Sequence, residues 1–117
     1  MSFNKITMVG NLGRDPELRT SNDGTTVCNF NLAVNERVRD ETGNLRNSPT
    51  WFRVAVWGKR AAICANTLKK GNAVYVAGRL KPKKWEDPQG ELHYMLEVNA
   101  TDIRFFGLPD SRTIKVA

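Results

Sequence analysis

The residues best equipped for chemistry lie in TWFRVAVWGK, Thr50 to Lys59, where two tryptophans stand six positions apart with an arginine between them. Tryptophan is costly to expose, so two on one short segment need a reason. The segment reads as a β-strand, and side chains alternate across a strand. Phe52, Val54 and Val56 then form one face, the natural core face. Trp51, Arg53, Ala55 and Trp57 form the other. At the rise of a strand, Trp51 and Trp57 are about 20 Å apart. Aromatic faces can stack nucleobases at about 1–3 kcal/mol each, whatever the base. A guanidinium between them can pair with phosphate or stack on a ring. The competing reading packs both indoles beneath a loop or at a subunit contact. The flanking Arg53, Lys59 and Arg60 weigh against it.

A second segment repeats the combination. In RLKPKKW, Arg79, Lys81, Lys83 and Trp85 share parity, opposite Val74, Val76 and Leu80, and Lys84 adds a further charge at the tip. A KPKK run alone reads as a solvated hairpin edge. An aromatic ring among cations on two strands points instead to recognition of single-stranded nucleic acid. Other chemistry has little support. GNLG matches the GxxG of a KH domain but ends a strand instead of joining two helices. Neither a Walker A sequence nor a GxGxxG is present. His93 stands in a strand without a partner pattern, and Glu97 and Asp102 read as strand-edge charges. The sequence predicts no enzyme, no cofactor and no metal site.

Composition agrees. The chain has 117 residues, one domain's worth, with 18 Lys and Arg against 12 Asp and Glu for a net charge of +6. That balance favours polyanionic partners. No apolar run is long enough to span a membrane, and the N-terminus MSFNKITMVG has no signal-peptide core. A cytosolic, nucleoid-associated location is expected, with a bacterial-type organelle as the other compartment. Cys28 and Cys64 lie among apolar residues without a CxxC spacing and are expected to be small buried hydrophobes.

The elements that position these residues follow from periodicity. Strands are expected at Phe3–Leu12, Thr25–Val34, Thr50–Lys59, Asn72–Leu80 and Leu92–Val98, with a short apolar tail at Ile103–Leu108. Asn35–Pro49, with Gly43-Asn44 at its centre, reads as a hairpin tip or mobile loop. Lys59–Lys70 is the one helical segment, with Ala61, Ala65 and Leu68 on one face, Lys69 and Lys70 in the last turn and Gly71 at C′. Five short strands close most economically into a barrel, which removes exposed edges. The expected class is all-β: a five-stranded OB-fold barrel with one short helix between strands 3 and 4.

NKITMVGNLGRDPELR, TWFRVAVWGK and LKKGNAVYVAGRLKPKKW, followed by LEV, resemble the bacterial-type single-stranded DNA-binding proteins (SSB) over about Phe3 to Phe106. The resemblance implies an OB-fold domain over 1–108 and a homotetramer that wraps single-stranded DNA over its outer surface. It places stacking aromatics at Trp51, Trp57 and Trp85, and basic contacts at Lys5, Arg53, Lys59, Lys70, Lys81, Lys83 and Lys84. Three positions depart from the family pattern. Val38 stands before Arg39-Asp40, where the family often carries a tryptophan. Phe52 stands where histidine is common near a subunit contact. Residues 109–117 form a short extension without the acidic tip that recruits replication and repair proteins. Two other readings share the barrel. One is a primosomal accessory protein acting through helicase contacts. The other is a single-stranded RNA binder, since nothing in the sequence discriminates the 2′-hydroxyl.

Overall fold

The computed structural model describes residues 1–106. The strands are β1 Ile6–Leu12, β2 Glu17–Thr20, β3 Thr26–Arg39, β4 Leu45–Trp57, β5 Ala73–Glu86 and β6 Leu92–Phe105, with one helix, α1, at Arg60–Thr67. Neighbouring strands run β1-β5-β6-β4-β3-β2, and β1 also pairs with β3. Five strands therefore close on themselves, and β2 adds to the outer edge of β3. The OB-fold barrel expected from the sequence is present, with its helix between the third and fourth barrel strands.

Alternation builds the barrel as anticipated. Phe30 and Leu32 of β3, Val54 and Val56 of β4, Val74 and Val76 of β5, and Val98, Ile103 and Phe105 of β6 are all buried in one core. Each such side chain contributes about 1.5–3 kcal/mol by leaving water. Closure depends on β1 changing partners. Gly10 faces Val74 of β5, while Asn11 and Leu12 pair with Ala33 and Leu32 of β3. A Cβ on Gly10 would run into the backbone oxygen of Ala33, so the missing side chain is what lets the strands meet.

Three expectations need correction. Of the two readings of Asn35–Pro49, the hairpin tip is present and the mobile loop is not: β3 and β4 stay paired out to Arg39 and Leu45. Only Asp40–Asn44 turns, with Asp40 Oδ1 accepting the backbone N–H groups of Thr42 and Asn44 at 3.0 Å each. The arm is exposed on both faces, so it lacks the hydrophobic alternation that marks a strand. The helix ends earlier than expected, because Leu68 is already extended at ψ 147°. Lys69, Lys70 and Gly71 therefore belong to a separate turn, where the Lys69 N–H donates to Asn72 Oδ1 at 2.8 Å. Finally, β6 is one strand from Leu92 to Phe105. A bulge accommodates it where Ala77 faces Asp102 but Gly78 faces Ala100. The predicted extension over 109–117 lies outside the described residues.

Cys28 and Cys64 are free and fully buried. Desolvation pushes their thiols up to about 11 and about 12, with Cys28 adding to the shift at Cys64. Neither is a thiolate at neutral pH, so both act as packing residues. No described helix is long and apolar enough to cross a membrane.

Candidate nucleic-acid interface

On the face of β4 that the sequence set apart, the two tryptophans are exposed, Arg53 is half-buried and Ala55 is buried. Trp51 and Trp57 are half exposed, while Val54 and Val56 opposite them are fully buried. Register then assembles a wider surface than either segment suggested. Arg53 lies between Asn31 of β3 and Glu97 of β6. Glu97 in turn faces Lys81 of β5. Lys81, Glu97, Arg53 and Asn31 therefore form one transverse row, with strands about 4.8 Å apart. Lys83 faces Met95, and Trp85 faces His93, further along the same side. The two aromatic-and-cation segments, distant in sequence, thus share one outer face because β6 is sandwiched between β4 and β5.

Each tryptophan is held differently. Trp57 donates its indole N–H to Asn99 Oδ1 at 3.2 Å. Trp85 stacks on His93 with ring centroids 4.4 Å apart and planes 19° from parallel. Trp51 leans over Gly13, where an added Cβ would sit 2.5 Å from Cζ3 and 2.6 Å from Cη2. The Gly13→Ala substitution is expected to displace the Trp51 ring and leave the fold intact, because the clash is with the far end of a side chain. The measurement is affinity for a dT oligomer beside a thermal melt. The expected outcome is a loss of up to about 1–3 kcal/mol of binding with the melting temperature nearly unchanged. Unchanged affinity would show that the position of Trp51 does not matter.

The cations are spread more widely. Lys83 Nζ lies 3.3 Å from Glu97 Oε1, and the Glu97 side chain is only 14% exposed. Glu97 is thus a central, ion-paired residue and not the strand-edge charge expected from sequence, because β6 is an interior strand. Lys5 precedes β1 next to Asn4, whose side chain pairs with both the N–H and the C=O of Leu80. Continuing the β1–β5 register places Lys5 opposite Arg79. Asn4, Arg79, Leu80, Lys81 and Asn99 line a groove of about 320 Å³. Lys59 is exposed at the N-cap of α1, just past Trp57 and the tight turn at Gly58. Lys70 is exposed, and its backbone N–H donates to Asp15 Oδ1 at 2.8 Å, in the turn that follows Gly13. Lys84 faces Tyr94 and alternates to the opposite side of the hairpin from Lys83 and Trp85, so the structure does not gather it into the same face.

Sequence reasoning missed four residues here: Asn31, Glu97, Asn99 and His93. Each comes into place through cross-strand register, for which the sequence carries no local signal. It also missed that Asp87, Glu91 and His93 bring their ligand-type atoms within 4.8 Å of one another. There His93 Nε2 lies 2.7 Å from Asp87 Oδ2. Asp87 Oδ1 accepts the backbone N–H groups of Gln89 and Glu91 at 2.9 Å each. These bonds, led by the one to His93, hold the Asp87 carboxyl below the usual carboxylate range. This is a hydrogen-bonded turn in which Asp87 ties His93 to the backbone N–H groups of Gln89 and Glu91.

Comparison with known proteins agrees with this geometry. A solved structure described as Plasmodium falciparum SSB complex with ssDNA superimposes with a TM-score of 0.75 at 31% identity, covering 92% of this chain and 97% of that one. The Single-stranded DNA-binding protein 1 of Chlorobaculum tepidum is 43% identical over 110 residues, covering 93% of this chain and 68% of the relative. The sequence pattern of the Single-strand binding protein family matches residues 3–106. The chain belongs to the single-strand binding protein family.

Proposed function

We propose that this protein binds single-stranded DNA with little regard to sequence and shields it during replication, recombination or repair. The observation that carries this reading is the single outer face on which Trp51, Trp57 and Trp85 stand half exposed among Arg53, Lys81 and Lys83. Bases stack on the indoles, and phosphates pair with the cations. Asn31, Trp51, Phe52, Arg53 and Met95 line a hollow of about 160 Å³ that opens onto this face, which suits sequence-tolerant binding. Lys5, Lys59 and Lys70 extend the positive path beyond the central row, and Lys84 serves the far side of the hairpin. The role is binding and not turnover. Assembly as a homotetramer fits the exposed Val9 on the outer face of β1, and mass in solution with and without dT oligomers measures it.

Titration of tryptophan emission with poly(dT) tests the reading. Strong quenching that weakens steeply with added salt is expected; no quenching at low salt would sink it. Matched DNA and RNA oligomers in competition separate this from RNA binding. A primosomal role predicts feeble DNA affinity with a tight helicase partner.

Glu97 supplies a sharper test. Glu97 lies in register between Lys81 and Arg53 and its carboxylate pairs with Lys83, so it competes with phosphate for that cation. Glu97→Gln is expected to tighten binding by about 2- to 5-fold at low salt, the scale of an exposed ion pair, with the gain fading as salt rises. Lys83→Ala is expected to reduce the salt slope by about 0.7, one phosphate contact on a single strand. Weaker binding by Glu97→Gln would show instead that Glu97 positions Lys83.

A further inference from the structure

The β5–β6 hairpin carries a chain of contacts that ends on an exposed indole. Trp85 and His93 are directly opposite across the antiparallel ladder, and their rings stack at 4.4 Å and 19°. The imidazole is fixed in turn by Asp87, at 2.7 Å from Nε2. Asp87 is fixed by the two backbone N–H groups of its own turn. Turn, carboxylate, imidazole and indole therefore form one connected unit, although Trp85 remains half exposed. Among the described residues Trp57 has a single hydrogen bond to its edge, whereas one ring face of Trp85 is covered.

We propose that Trp85 and His93 act as one two-ring platform, with His93 as the positioning residue that presents the free face of Trp85 to a nucleobase. This rests on the proposed single-strand binding. Without a partner ring, an indole on a protruding hairpin samples several rotamers, and a base must select one of them. A side chain immobilised beforehand removes that cost from binding. The covered face also leaves one side of the indole for a base, so a strand must pass Trp85 on that side alone. Asp87 does not touch the nucleic acid; it holds the imidazole upright.

A double-mutant cycle on dT-oligomer affinity tests this. His93→Ala is expected to weaken binding about 2- to 10-fold, the scale of an aromatic pair, and to have no further effect in a Trp85→Ala background. His93→Phe keeps a ring without the hydrogen bond and is expected to recover most of the loss. His93→Gln keeps a donor for Asp87 without a ring and is expected to behave as His93→Ala. With Trp51 and Trp57 both replaced by Phe, the remaining Trp85 emission is expected to shift to longer wavelength on His93→Ala. An equal loss in both backgrounds, or equal losses for Ala and Phe, would overturn the platform; so would no loss at all. If Trp85→Ala itself leaves affinity unchanged, the platform fails while stacking on Trp51 and Trp57 stands. Failure of the parent protein to bind dT oligomers would overturn the proposed function as a whole.

Discussion

Replacing Trp51 and Trp57 together by alanine is expected to remove about 2–6 kcal/mol of single-stranded DNA affinity, the sum of two stacks at about 1–3 kcal/mol each. Additivity is expected because the two are about 20 Å apart on one strand, beyond the range at which neighbours couple. They also have separate supports, Gly13 under one and Asn99 beside the other. The fold should survive, since both indoles are half exposed and the buried valines of β4, Val54 and Val56, lie on the other face. Fluorescence anisotropy with a labelled dT oligomer gives the affinity, and circular dichroism gives the fold. Loss of the fold would mean that the indoles serve packing. A loss no larger than that of either single substitution would mean that only one of them meets a base.

A second large effect is expected far from any base. Gly78 sits at the bulge where β5 crosses β6, and an added Cβ would collide with the backbone oxygen of Asn99 and lie 2.9 Å from Ala100 Cα. Both obstacles are main chain, so no side chain can swing aside. Gly78→Ala should therefore force the central strands apart and cost at least about 3 kcal/mol. For a domain of this size that lowers the melting temperature by roughly 10–20 °C. Asn99 also holds the Trp57 indole, so residual folded protein should bind more weakly as well. A melting temperature within a degree or two of the parent would show that the ladder opens there at little cost. The contrast with Gly13→Ala is instructive: one glycine makes room for a movable ring, the other for a backbone that cannot move.

Much of the architecture was legible because alternation is local. Phe52, Val54 and Val56 against Trp51, Arg53 and Trp57 required only the pleat of a strand. The same holds for Val74 and Val76 against Arg79, Lys81 and Lys83. Where both faces are wet, alternation disappears, so the segment from Asn35 to Pro49 leaves hairpin tip and mobile loop both open in sequence, although its backbone ladder is continuous. Helix α1 is legible in the sequence, but it ends at Thr67, short of the expected Lys70. Lys69, Lys70 and Gly71 look like a helix terminus in sequence, while Asn72 and Asp15 capture their backbone for a turn.

By itself, the sequence determined which side chains face outward on each strand, since that depends on nothing beyond neighbouring residues. It also determined the excess of cations that draws a polyanion. The tertiary structure alone decided which strands lie side by side, and in what register. Barrel closure sets that register through Gly10, where β1 passes from β5 to β3, and couples residues more than sixty positions apart, while the bulge at Gly78 fits β5 to β6. Closure inserts β6 between β4 and β5, merging two tryptophan-and-cation segments into one face. With β6 come Glu97 at the centre of the basic row, Asn99 on Trp57 and His93 on Trp85.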